Sequence, residues 1–340
     1  MIQKIIIFVP ILLLSIVSFV SAHVKWFVDT EKVIGESHNQ TPFYYLSSKE
    51  VIIWAIISII VVLVFSILDR IIREPKKLLS FGEKYEVIID RVAQGVLGLF
   101  LVTVGVIWKV VLIPEFPVTD SLSALLASIE IALGVMFVIG MYPRMASCAL
   151  IILYTTLLFK VGPEAFFENI MLLTLAFYFL IKHSPKGACL NKLNKHAVEI
   201  VRIGTGISLI IMAFSEKLSY PELGLSFLDV HNWNFMYNFG LTWFTNNLFV
   251  LSTGFAEMIF GVIFILGYLT RINTVLIASF FAASVITMAV QFGQWEVEDL
   301  VVYSAAILFI FYGHGKTKFF HFILPESFLH TRTIRRLFRK

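Results

Sequence analysis

Two glutamates, Glu130 and Glu257, stand inside stretches that are otherwise apolar. A charge at membrane depth costs about 2.5–3.5 kcal/mol on insertion scales, so each carboxyl must face protein and find a partner, or keep its proton. Lys109 and Lys217 close the apolar stretches that precede these acids, and a lysine stem can carry its head inward. The four residues are candidates for a proton or substrate site. They serve equally as buried pairs or protonated acids that pin helices, helped by small-residue packing at Gly134, Gly140, Gly261 and Gly267. Glu168 and Asp299, each near the start of a later apolar stretch, are the candidates for binding a cofactor. His23, His38 and His231 are the candidate metal ligands. Chain cleavage after Ala22 would give His23 a free α-amine beside its imidazole, a donor pair suited to copper(II). A histidine also stands there simply if the leader happens to end at that point.

The elements that position these residues follow from composition. Of 340 residues, 58% are hydrophobic and only 15% are charged. Soluble domains are nearer a quarter charged, so a water-soluble globule, a disordered chain and a disulfide scaffold are all excluded. Met1–Ala22 has a lysine, an apolar run and a Val20-Ser21-Ala22 ending, the pattern of a signal peptide or, if retained, of an anchor. Apolar runs near 51–69, 91–113, 121–141, 145–161, 166–182, 197–218, 247–269, 272–291 and 298–313 predict nine spans. The expected fold class is an all-α polytopic membrane protein.

Basic residues cluster between the first two spans, after the fifth, in the tail, and in tight turns at Arg144 and Arg271. The connections 114–120, 162–165, 219–246 and 292–297 contain acids and no Lys or Arg. The positive-inside rule therefore places the mature N-terminus outside and the C-terminus in the cytoplasm of a bacterial-type inner membrane. Cys148 and Cys189 form no CxxC and read as ordinary small residues. The tail 314–340 mixes phenylalanines with basic residues, as an interfacial segment on anionic lipid does. Orientation accounts for that charge, so no nucleic-acid partner is expected; the lipid bilayer is. The loop 219–246 is aromatic and without basic residues, which suits an interfacial or re-entrant segment, or else a lid bringing Asp229, His231 and Asn232 near Glu298 and Asp299.

The chain also repeats itself. Arg91-x3-Gly95 and Arg202-x3-Gly206 open the second and sixth spans, and Glu130-x3-Gly134-x5-Gly140-x3-Arg144 matches Glu257-x3-Gly261-x5-Gly267-x3-Arg271 in type and spacing. Both halves begin and end on the inner side, so the repeats are parallel. The division is a leader at 1–22, an outer segment at 23–50, an extra span and basic linker at 51–90, four-helix bundles at 91–183 and 197–313, and the tail.

These residues resemble the DoxX/DoxD-like family of four-helix membrane proteins. The resemblance rests on Val201-Arg202-Ile203-Gly204-Thr205-Gly206, Phe214-Ser215-Glu216-Lys217-Leu218, Ala256-Glu257-Met258-Ile259-Phe260-Gly261 and Leu266-Gly267-Tyr268-Leu269-Thr270-Arg271. Asp90-Arg91, Trp108-Lys109, Ile129-Glu130 and Gly140-Met141-Tyr142-Pro143-Arg144 repeat it more loosely. It covers 91–313 in two copies, where typical members have one. What it implies is membrane redox association, with quinone as cofactor and a membrane or periplasmic redox enzyme as partner, in thiosulfate or thiol oxidation. The duplication, the extra span and the large loop depart from the family pattern. No GxGxxG after a strand, CxxCH or haem histidine pair is visible, so a redox role would draw its cofactor from that partner. A transporter for a small solute or metal and a structural assembly subunit are the alternatives.

Overall fold

The computed structural model describes residues 24–28, 33, 48–72, 75–293 and 299–315. The leader, His23, His38, Glu298 and the basic tail lie outside the described residues. The first long helix, α1 (Lys49–Ile71), starts at Ser48, whose Oγ accepts from the Val51 N–H at 3.2 Å. A short α2 (Lys76–Lys84) leads to the first half: α3 (Glu86–Thr103), α4 (Ser121–Ile139), α5 (Pro143–Lys160), α6 (Pro163–Glu168) and α7 (Ile170–Lys182). The second half holds α8 (Ala197–Ala213), α9 (Pro221–His231), α10 (Phe235–Asn238), α11 (Asn246–Leu266), α12 (Thr270–Thr287) and α13 (Asp299–Tyr312). Between α3 and α4 a small antiparallel ribbon pairs β1 (Val110–Val111) with β2 (Ile113–Pro117) across a bulge.

The chain is an all-α polytopic membrane protein. Among the described residues, six helical segments are long and apolar enough to cross a membrane: Lys49–Ile71, Glu86–Trp108, Ser121–Ile139, Cys189–Leu218, Asn246–Leu266 and Thr270–Val290. The other three expected spans appear as α5 and the shorter α7 and α13. Helix α7 is continued by α6, parted from it only at Asn169, and at 1.5 Å per residue the two together reach about 30 Å. Helix α1 leaves Ile52, Ile53, Ile56, Ile59 and Ile60 more than half exposed, a surface that only hydrocarbon solvates without cost.

The repeat holds down to backbone detail. Gly140 and Gly267 end α4 and α11 at φ 78° in both cases, a left-handed turn that favours glycine. Two residues later Tyr142 (φ 45°) and Leu269 (φ 42°) share the same strained region. Arg91 donates to the Phe137 carbonyl at 2.6 Å, and Arg202 donates to those of Phe264 and Ile265. These guanidiniums satisfy carbonyls that the end of a helix leaves open.

Helix crossings differ in one detail from the expected motif. A Cβ on Gly206 would meet the Gly261 carbonyl oxygen at 2.6 Å, so this pair sets the α8–α11 approach. In the first half Gly98, not Gly95, lies against Gly134, again at 2.6 Å, while a Cβ on Gly95 would meet nothing. Gly98 lies almost one turn further along the same helix face, so a matching spacing from the arginine did not mark the contact.

The halves are not two separate bundles. Successive helices pack as α3–α4–α5–α7 and α8–α11–α12–α13, but α7 also packs on α8 and α13 on α3, closing a ring of eight. Ser304 on α13 donates to the Ala93 carbonyl at 2.8 Å across one seam. Near the basic end, Tyr178 and Tyr312 both donate to Asp90 Oδ1, at 2.6 and 2.8 Å, tying α7 and α13 to α3.

Candidate functional site

At the acidic end α8 finishes in a π-turn at Phe214–Leu218. A π-turn inserts a residue into the helical repeat and is frequent at functional sites. Here Ser215, Glu216 and Lys217 are all buried. Lys217 Nζ lies 3.0 Å from Glu257 Oε1 on α11 and 3.4 Å from Glu216 Oε2. Gly254, one turn before Glu257, makes room for it: a Cβ there would meet Leu218 at 2.8 Å and Lys217 at 3.1 Å.

The segment Val24–Val28 seats against this cluster. The Val24 N–H donates to Glu216 Oε2 at 2.9 Å, and the Val24 side chain is buried with Leu223, Phe227, Trp233 and Phe244. Lys25 Nζ lies 2.6 Å from Glu168 Oε2, 3.4 Å from Glu164 and 3.6 Å from Glu115. Burial alone would push the Lys25 ammonium down; Glu168, Glu216 and Glu115 outweigh it and hold the group above the usual lysine range. Trp26 packs edge-on against Trp108, ring centres 5.2 Å apart, and lines a cavity of about 40 Å³ between the halves. Asn169, Ser208 and Asp299 supply polar groups to that cavity. Asp299 thus belongs to the seam, while Glu168 faces Lys25.

The first half diverges at the matching place. Its π-turn, Val104–Trp108, is followed by left-handed Lys109 (φ 55°) and Leu112 (φ 65°), and the chain then turns into the ribbon. Lys109 is exposed and does not meet Glu130. The Leu112 N–H takes the position of the lysine, 3.0 Å from Glu130 Oε2. Glu130 is fully buried, and its Oε1 has no hydrogen-bond partner among the described residues. Matching acids therefore carry different electrostatics: one is in an ion pair, the other on a backbone amide.

The loop 219–246 folds down as a cap. Helix α9 packs on α11, on the π-turn and on Val24–Trp26, while Val230, Tyr237, Phe239 and Trp243 stay exposed as a rim. His231 lies over the Phe227 ring at 4.6 Å, and burial pulls its imidazole below the usual value. Among the described residues no group of three or more His, Cys, Asp or Glu is arranged to hold a metal. The other candidate ligands, His23 and His38, lie outside the described residues.

A groove of about 350 Å³ opens at the surface beside this cluster. Phe167, Ile211 and Phe214 form apolar walls, Glu164 and Tyr220 stand in its lining, and Ser215 joins it to the cluster by donating to Glu168 Oε2 at 3.2 Å. Phe167 and Phe214 are both more than two-fifths exposed, so the walls face what surrounds the bundle. Ligand sites combine apolar walls with a few polar groups, and this open groove has both.

Sequence reasoning brought Lys217 to Glu257 and chose Glu168, but passed over Glu216, Lys25 and Ser215. Glu216 and Ser215 stand inside the Phe-Ser-Glu-Lys motif next to the chosen lysine, which was the available signal. Lys25 lies 143 residues from Glu168, and no spacing rule reaches that far.

Fold and site define a multi-pass helical membrane protein of two interlocked repeats, with a buried ionic cluster at one end and a surface groove beside it. No protein-family model, curated protein or solved structure matches the chain.

Proposed function

We propose that the groove takes the head group of a lipid-soluble quinone, and that the protein is a partner subunit in quinone-linked redox chemistry of the thiosulfate or thiol oxidation type. The observation that carries this reading is the groove itself: aromatic and aliphatic walls at the surface of the helical bundle, closed on one side by a hydroxyl hydrogen-bonded to a buried ion pair. A quinone ring needs apolar walls for its faces and polar groups for two oxygens, and it must enter from lipid. Phe167, Ile211 and Phe214 answer the first need; the Ser219 and Tyr220 hydroxyls can meet one oxygen, and Ser215 and Glu164 stand at the end where the other would lie. The residues quoted for the DoxX/DoxD-like resemblance include Phe214 and Ser215, so the motif and the groove coincide in sequence. Electrons would pass through a cofactor of the partner enzyme, and the acidic end would face the outside of a bacterial-type inner membrane.

The test is titration of the full chain in lipid nanodiscs with a short-chain benzoquinone, followed by thermal unfolding. Wild type is expected to gain thermal stability with ligand, and Ile211→Trp, which fills the groove, to gain none. No ligand-dependent shift in wild type, together with no quinone in extracts of the purified protein, would overturn the reading.

A further inference from the structure

The direction of one hydrogen bond bears on which redox form the groove holds. A serine hydroxyl has one proton to give and two lone pairs to offer. The two acceptors near Ser215 Oγ, Glu168 Oε2 at 3.2 Å and the Met212 carbonyl at 3.4 Å, both lie on the protein side. Glu168 is fully buried and its Oε2 sits 2.6 Å from the Lys25 ammonium, which fixes it as an acceptor. Whichever of the two receives the proton, the Ser215 hydroxyl has none left to give to a ligand in the groove and can meet one only as an acceptor. Glu164, with its side chain 55% exposed in the same lining, is a second acceptor. At this end the groove offers acceptors facing acceptors if the ligand oxygen is a carbonyl, and acceptors facing a donor if it is a hydroxyl. Ser219 and Tyr220 at the other end have hydroxyls that suit either form.

We propose, resting on the quinone reading, that the groove selects the reduced, hydroxyl-bearing form of its ligand, a hydroquinone in preference to the quinone. Ser215 is the specificity-determining residue, and the Lys25–Glu168 pair is the positioning element that holds its proton inward. The N-terminal segment thereby sets the chemistry of a groove that it does not itself line.

The experiment compares a short-chain benzoquinone with its hydroquinone, under argon, on the full chain in nanodiscs. Wild type is expected to bind the hydroquinone about tenfold more tightly, the worth of one uncharged hydrogen bond against an unsatisfied pair. Ser215→Ala should bind both forms with similar affinity. Glu168→Gln keeps an amide oxygen toward the Lys25 ammonium, and that same atom still accepts from Ser215, so the hydroquinone preference should persist. Equal affinity in wild type, or tighter quinone binding, overturns this inference and leaves the quinone reading standing. Binding of neither form overturns both. If Glu168→Gln does not fold, the comparison of wild type with Ser215→Ala decides alone.

Discussion

Replacing Lys217 with methionine keeps an unbranched stem as far as the ε position and removes the ammonium that stands 3.0 Å from Glu257 and 3.4 Å from Glu216. Both carboxyls are buried, so the variant leaves two acids in a low-dielectric site without the cation between them. Breaking a buried pair from one side costs about 3–5 kcal/mol, most of it from the charge left behind. Glu130→Gln is the matched control in the other half. Its only hydrogen bond in the described residues is from the Leu112 N–H at 3.0 Å, which an amide oxygen accepts as well, so the loss should stay within about 1 kcal/mol. The assay is equilibrium unfolding in mixed micelles, with the fraction folded read by near-UV circular dichroism. Lys217→Met with Glu257→Met should recover part of the single-variant loss, since the acid and the cation leave together. If Lys217→Met proves neutral, or Glu130→Gln costs as much, then the asymmetry between the halves has no energetic content and the reasoning fails.

Three further outcomes follow from the geometry. Gly206→Ala places a Cβ 2.6 Å from the Gly261 carbonyl and should part α8 from α11, lowering the unfolding midpoint, whereas Gly95→Ala, with nothing nearby, should not; parallel melting curves check this. Lys25 has a folded-state value raised above its unfolded one, so its contribution to stability is complete below about pH 10 and is lost as pH rises through the folded value. Lys25→Met should therefore destabilise at pH 8 and converge on wild type only at strongly alkaline pH, as read from stability against pH. For His231 the shift is downward, because burial disfavours the imidazolium. Stability tied to it is present above the ordinary value and falls as pH drops from about 6.5, so His231→Phe should flatten that acid limb in the same measurement.

Much of the architecture was legible without coordinates, for a physical reason. Hydrocarbon forces each spanning segment to satisfy its own backbone, so apolar length alone located the helices, and duplicated glycines and arginines located the repeat. The Glu257–Lys217 pair was legible too, since a buried acid requires a partner and only a few lysines stood near the right depth. Glu130 and Lys109 met the same criteria and did not pair, because two left-handed residues after the π-turn redirect the chain and offer an amide in place of the ammonium. Residue type and spacing carry no information about that turn.

Composition and periodicity thus determined that this chain is helical, multi-pass and internally doubled, because those properties depend on local apolar content and short-range spacing. Tertiary structure alone decided that the halves interlock through α3–α13 and α7–α8, that Val24–Trp26 seats beside Glu216 and Glu168, and that a groove opens next to Ser215. Those contacts join residues far apart in the chain, and their energy comes from shape and charge meeting in space, which no one-dimensional pattern records.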